Sequence, residues 1–252
     1  MVIDWIMKIE FKIHIFTYLL CLICIFTGQF KLFITFLIIV LFHELGHVFG
    51  SILTHIEIKK IIILPFGGLT ILKYPLNIKL LSEFVIVIMG PIFQIILYVL
   101  LKNYNLYYFK EINMFLIIFN MLPIIPLDGY RILNIILNKI ACYRMSLYIS
   151  SYISFIFLIL NIIFLLFYKN FMLVITLFFL MYKTVYEYRI INYIYNKFLY
   201  ERYSKNIYFD KKKKIRNIKK MYRDYSHLIY YDYRFYTEKE MLDKYYKKGG
   251  IY

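Results

Sequence analysis

Six apolar runs, separated by short clusters of lysine, asparagine, glycine and proline, set the pattern of this chain. They lie near residues 13–28, 32–53, 83–101, 112–126, 146–168 and 171–187. Each is apolar enough to cross the roughly 30 Å hydrocarbon core of a bilayer as a helix, or to lie within it. The fourth, interrupted by Pro123 and Pro126, is the least like a simple spanning helix. Between the second and third runs, KKIIILPFGGLTIL reads as strand, tight turn at Gly67 and Gly68, and strand. Backbone that irregular is tolerated at membrane depth only when buried in protein or lining a wet cavity. A re-entrant hairpin that takes the substrate as an added strand and an ordinary cytosolic hairpin are both open. The expected fold is an all-α polytopic membrane protein of about six transmembrane segments with a re-entrant hairpin, followed by a small α+β cytosolic tail.

Composition agrees with a membrane protein. The 252 residues are 62% hydrophobic and 21% aromatic, with a mean hydropathy of +0.65, outside the range of soluble globular domains. Cys21, Cys24 and Cys142 are too few and too apolar in setting for a disulfide framework. Six crossings put both termini on one side, together with Lys8, Lys12, Lys59, Lys60, Lys73, Lys79, Arg131, Lys139 and Arg144. Lys31, Lys102, Lys110 and Lys169 face the other, so the positive-inside rule makes the termini cytoplasmic.

From Lys183 onward, 18 Lys and Arg face 8 Asp and Glu, so +10 of the net +16 lies in the tail. Division is expected between a transmembrane domain, 1–190, and a basic cytosolic tail, 191–252. In the tail, KKKKIRNIKKMYRDY is expected to be helical, SHLIYYDY a strand, and TEKEMLDKYY a short helix opened by a Thr237/Glu240 capping box. Its juxtamembrane position favours contact with anionic lipid over nucleic acid.

One apolar run carries chemistry. In FHELGH, His43 and His47 stand at i and i+4, so on a helix both imidazoles leave one face and can share a tetrahedral cation. Glu44, beside them, can accept a proton from an activated water. Glu44 is the only charged residue between Lys31 and Glu57, and an ionisable group at bilayer depth costs about 2.5–3.5 kcal/mol or more unless it is offset. A hydrolytic zinc site takes a third protein ligand, and Asp128 is the only charged side chain from Ile112 to Tyr130. Asp128 is therefore the expected third ligand, one zinc per chain. His14, His55 and His227 lack paired spacing and read as boundary or surface residues. Gln94 reads as a packing residue, and Gly90-Pro91 as a kink or loosening of the third helix near the site.

HELGH, with NMLPIIPLDG at 120–129, resembles the two signatures of the site-2 protease family of intramembrane zinc metalloproteases. IFTG, ILPFGGLT, MGPIFQ and YRIINYIYNKFLYERYSKN resemble the sporulation branch of that family. The resemblance implies zinc ligands His43, His47 and Asp128, catalytic Glu44, a substrate-holding Asn120, and Pro123 and Pro126 shaping the backbone. Gly129, Phe66, Gly67 and Gly68 are further candidates for substrate contact or backbone shape. It also implies a membrane-associated sigma-factor precursor as substrate, membrane inhibitor or regulator proteins as partners, and, in a spore former, the membrane around the forespore as the location. Tyr130 stands where the family often has a second glycine. The tail is shorter than the nucleotide-sensing CBS domain that usually ends the branch and reads as a reduced CBS-like module, so ATP regulation does not carry over. A catalytically inactive scaffold and a metal transporter are the competing readings.

Overall fold

In the computed structural model of the chain, the described residues are 9–64, 67–73, 76–104, 108–167, 171–205 and 207–247. Helices β1-flanked at the start dominate: β1 (Glu10–Ile13), α1 (Ile15–Phe26), α2 (Phe30–Thr54), β2 (Ile58–Leu64), β3 (Gly67–Leu72), α3 (Leu80–Leu101), α4 (Phe109–Asn120), α5 (Asp128–Ile140), α6 (Tyr143–Phe167), α7 (Phe171–Arg189) and α8 (Ile191–Lys205). The tail adds β4 (Lys212–Ile215), a 3₁₀ turn (Ile218–Lys220), β5 (Ser226–Tyr231), β6 (Arg234–Thr237) and α9 (Glu238–Lys247).

Among the described residues, three helices are long and apolar enough to cross a membrane: Phe30–Thr54, Leu80–Leu101 and Tyr143–Leu165. The six apolar runs thus divide. With 12 residues each, α1 and α4 reach only about 18 Å at 1.5 Å per residue. Lys183, Glu187 and Arg189 lower the apolarity of α7 in its second half. Of the three, α2 is inside out compared with a helix of a soluble protein. On α2, Ile34, Ile38, Leu41, Leu45, Phe49 and Leu53 recur at helical spacing and are exposed, while His43, Glu44, His47 and Ser51 are buried. An exposed apolar stripe opposite a buried polar one suits lipid outside and chemistry within.

The hairpin exists, with a correction. β2 and β3 pair antiparallel, but Gly67 and Gly68 are already strand residues opposite Leu64 and Ile63. The connection falls at residues 65 and 66, so Phe66 lies outside the described residues. A third strand was not foreseen: β1 joins β2 in parallel, giving the order β1-β2-β3 with β3 at an edge.

Gly46 and Gly50 bring α2 and α3 together backbone to backbone. A Cβ on Gly46 would lie 2.9 Å from Gly90 Cα, and one on Gly50 would lie 2.8 Å from Ile86 Cα. This is the small-xxx-small spacing that lets membrane helices approach closely. Gly50→Leu is expected to destabilise the protein by more than the 1–3 kcal/mol of ordinary overpacking, because the obstacle is backbone, not a side chain that can turn away. Thermal unfolding in detergent checks this; an unchanged Tm would refute it.

The tail corrects two further expectations. Residues 211–225 are not a helix: Lys212–Ile215 pair in parallel with Ser226–Ile229, and only Ile218–Lys220 are helical, in a 3₁₀ turn. The exposure of this strand ends at buried Ile215, which joins a core with Phe198, Leu199, Met221, Ile229 and Leu242. Tertiary pairing outweighs local propensity here. The strand and capped helix are present, with Thr237 N–H donating to Glu240 Oε2 at 2.9 Å and Glu240 N–H to Thr237 Oγ1 at 3.4 Å. His227 is not a surface residue. It is buried, its Nε2 accepts from Tyr222 N–H at 3.0 Å, and its Nδ1–H donates to the Glu238 carboxylate. Burial holds its pKa below the ordinary histidine value, against the opposing pull of Glu238.

The tail grips the start of α3. Asp224 accepts from Leu80 N–H at 3.1 Å, Arg223 pairs with Glu83 at 2.6 Å, and Arg202 donates to Asn77 Oδ1 at 2.9 Å. The Asp224 contact satisfies a donor that a helix N-terminus otherwise leaves orphaned, and the two arginines add charge-assisted contacts beside it.

Candidate metal centre

The site is assembled on three elements. His43, Glu44 and His47 are buried on α2, Asp128 is the first residue of α5, and β3 passes over Glu44. His43 Nε2 lies 3.0 Å and His47 Nε2 3.3 Å from Asp128 Oδ2, and the two Nε2 atoms are 3.1 Å apart.

Hydrogen bonding on the far side of each ring decides what this triangle can be. His43 Nδ1 faces Gln94 Oε1 at 3.0 Å and His47 Nδ1 faces the Ile86 carbonyl at 2.9 Å. Both partners are acceptors, so both Nδ1 atoms carry the proton and donate. Gln94 is fixed in that orientation by its own Nε2 donating to the Asn113 carbonyl at 3.2 Å. In neutral imidazoles both Nε2 atoms then present lone pairs. With both imidazoles neutral, two bare nitrogens and a carboxylate oxygen converge, an arrangement suited to a cation. Tetrahedral zinc with ligands at about 2.0–2.1 Å would space its donors about 3.3 Å apart, close to the triangle observed. The residues fit the ion.

Glu44 lies beside the triangle, with a carboxylate oxygen within 4.8 Å of a ring nitrogen of both His43 and His47. Thr70 Oγ1 donates to Glu44 Oε2 at 2.5 Å. The carboxylate leaves no room for a side chain on Gly68, where a Cβ would overlap it. Gly90 does the same for the rings, since a Cβ there would come within 2.9 Å of His43 Nε2 and 2.6 Å of His47 Nε2. Its place on α3 thus reflects close approach to the histidines, beyond any effect of Gly90-Pro91 on the helix.

The segment 121–127 brings Asp128 in. Ile125 N–H donates to Ser154 Oγ on α6 at 3.0 Å, so a backbone group left free by the prolines is satisfied. Gly129 packs on the end of α4, where a Cβ would stand 2.5 Å from the Leu122 carbonyl oxygen. Tyr130 turns away from this contact, its hydroxyl accepting from Ser150 Oγ at 3.3 Å, so the turn accommodates its side chain.

Around the triangle is a cavity of about 30 Å³, room for about two waters. His43, His47, Gly67, Gly68, Asn120, Pro126 and Asp128 line it, and sequence reasoning placed all of them at the site. Gly129 stands behind this lining against the end of α4, and Pro123 is not part of the lining. Thr70 and Arg131, which also line it, were missed as site residues. Thr70 sits two positions past a glycine pair in an edge strand, a weak signal. Gln94 was read only as packing; its partner lies 51 residues away, a distance that spacing cannot bridge.

Gln94→Leu is expected to lower metal affinity about 10–100-fold, because His43 loses the acceptor that fixes its tautomer and ring plane. Zinc competition with a chelator of known affinity measures it. Wild-type affinity would remove Gln94 from this role.

Peptidase family M50 matches residues 31–102 and 102–164 of this chain. Stage IV sporulation protein FB of Bacillus subtilis (strain 168) is 30% identical over 215 residues, covering 80% of this chain and 73% of that protein. A zinc metalloprotease of Methanocaldococcus jannaschii is 33% identical over 153 residues, covering 57% of this chain and 45% of the archaeal protein. The solved structure of the site-2 protease from Methanocaldococcus jannaschii superposes with a TM-score of 0.59 at 29% identity, covering 72% of this chain and 91% of that one.

Proposed function

From the premise that this chain belongs to peptidase family M50 and is a zinc-dependent intramembrane endopeptidase of the site-2 protease type, we propose that His43, His47 and Asp128 hold one zinc ion per chain and that Glu44 is its general base. The observation that carries this is the convergence of two imidazole Nε2 atoms and one carboxylate oxygen within 3.0–3.3 Å of one another. Zinc held there supplies a Lewis acid that acidifies water and polarises a carbonyl. The rest is done by the chain itself.

Glu44 takes the proton of the attacking water and later delivers it to the leaving amine, while Thr70 holds one of its oxygens in place. A peptide in a helix hides its scissile bond in intrahelical hydrogen bonds, so it must be drawn out. The β2–β3 hairpin is re-entrant, and the free edge of β3 receives the substrate as a further strand. Because β3 crosses over Glu44, an added strand lies along the cavity. Asn120 stands beside that strand, its Oδ1 3.5 Å from where a Gly67 Cβ would be, and donates to or accepts from the extended backbone.

The substrate is a membrane-associated sigma-factor precursor, and the working location is the membrane around a forespore, with the termini cytoplasmic and membrane regulator proteins controlling access. The 30% identity with the sporulation protein over 80% of this chain supports this reading. The transmembrane part is 1–190, and 191–252 is a cytosolic module whose start Arg202 ties to Asn77. Co-expression of the chain with the membrane-associated sigma-factor precursor of its own organism tests the substrate. A shortened precursor is expected with the wild-type chain and not with Glu44→Gln. Absence of processing, with a generic membrane substrate still cut, would remove the sporulation role and leave the protease.

A further inference from the structure

A second, larger cavity of about 380 Å³ opens between the start of α6, α8 and the tail. Among the described residues, four cations line it, Arg144, Arg216, Lys219 and Lys244, and no carboxylate does. Asn and Tyr side chains supply the remaining polar lining, a donor-rich wall suited to an anion with several acceptor oxygens. The four cations come from three separate parts of the chain: Arg144 from the first turn of α6, Arg216 and Lys219 from the stretch that follows β4 into the 3₁₀ turn, and Lys244 from α9. Arg216 and Lys219 belong to the basic run 211–220, whereas Arg144 and Lys244 are brought beside them by the fold.

The height of the cavity relative to the bilayer suggests its ligand. Tyr143–Leu165 is one of the three helices able to span, about 34 Å long at 1.5 Å per residue. Arg144, at its very start, falls just outside a hydrocarbon core of about 30 Å, in the headgroup layer. Its guanidinium is already turned toward the cavity side, donating to Asn192 Oδ1 of α8 at 2.9 Å. Basic pockets beside spanning helices at this level take lipid headgroups.

We propose that this cavity binds the phosphate of an anionic membrane lipid and so seats the tail, and through it the start of α3, against the bilayer. The proposal rests on α6 crossing the membrane. The link to α3 runs through Asp224 on Leu80 N–H and Arg223 on Glu83. Arg216, Lys219 and Lys244 are solvent-accessible, so replacing them need not disturb the core.

The test uses the full chain in nanodiscs of pure phosphatidylcholine, titrated with short-chain phosphatidylglycerol. The pocket variant is Arg216→Ala/Lys219→Ala/Lys244→Ala. The control, Lys211→Ala/Lys212→Ala/Lys239→Ala, removes the same charge from exposed positions of the tail that do not line the cavity. The pocket variant is expected to bind the lipid about a hundredfold more weakly and the control less than about threefold, given the strength of each basic contact to an anionic headgroup. Equal losses would overturn the site in favour of a diffuse basic surface. Inorganic phosphate displacing the lipid at matched concentration would overturn the lipid assignment in favour of a soluble phosphate. A chain that fails to enter phosphatidylcholine nanodiscs would overturn the spanning of α6, and the proposal with it.

Discussion

Glu44→Gln is expected to slow substrate cleavage about 10²–10⁴-fold while zinc content and folding stay intact. Glutamine has the same shape and keeps an oxygen for Thr70, whose hydroxyl donates to Glu44 Oε2. What it lacks is a site for the water's proton. The three converging donor atoms belong to His43, His47 and Asp128, so the substitution leaves them unchanged. Stability provides a second signature. A carboxylate on a spanning helix carries a cost of about 2.5–3.5 kcal/mol unless it is offset, so the neutral variant is expected to unfold at the wild-type temperature or above it. Cleavage in a reconstituted assay, zinc by elemental analysis and thermal unfolding separate the terms. Undiminished cleavage would end the case for Glu44 as the base; loss of zinc alongside cleavage would place Glu44 among the ligands instead.

Much of this site was legible because membranes penalise charge. Two lone carboxylates, Glu44 and Asp128, stand out in apolar sequence, and a metal offers the simplest common reason for both. The i, i+4 histidines needed only the assumption of a helix, which α2 meets. The supports of these residues were hidden for a different reason. Gln94, the Ile86 carbonyl, Ser154 and Thr70 act on groups 26 to 51 residues away, and nothing in local spacing announces such pairs. Gly46 and Gly50 were passed over too, although their four-residue separation marks the close crossing with α3.

The errors of reading also have physical causes. A glycine pair suggested the turn, yet Gly68 is needed where β3 runs against the Glu44 carboxylate, so close approach and not turning explains it. Residues 211–225 have the composition of a helix, but buried Ile215 and its partner strand commit the segment to a sheet. His227 has no sequence neighbour that could be its partner; Glu238 reaches it only when α9 folds back beside β5.

Asp128 invites the sharpest test of the ligand set, because an acidic residue opening a helix has an ordinary explanation. At the N-terminus of α5 a carboxylate gains about 0.3–1 kcal/mol from the helix dipole. The N-cap of that helix is Leu127, with no side-chain capping bond, and Asp128 Oδ2 points to both imidazoles instead. Asp128→Ala is therefore expected to lower zinc affinity by more than the 10–100-fold associated with an outer support such as Gln94. It leaves two Nε2 lone pairs 3.1 Å apart with nothing to complete the set. Asp128→Asn separates the two roles. The amide keeps the size and turn preference of aspartate but is a poor ligand, so a dipole role predicts a small loss of stability with zinc retained. A ligand role predicts the reverse: a folded chain that gives up its zinc to a chelator the wild type resists. Stoichiometric zinc in both variants after that challenge would leave His43 and His47 as the only protein ligands and require the third to be sought elsewhere in the cavity.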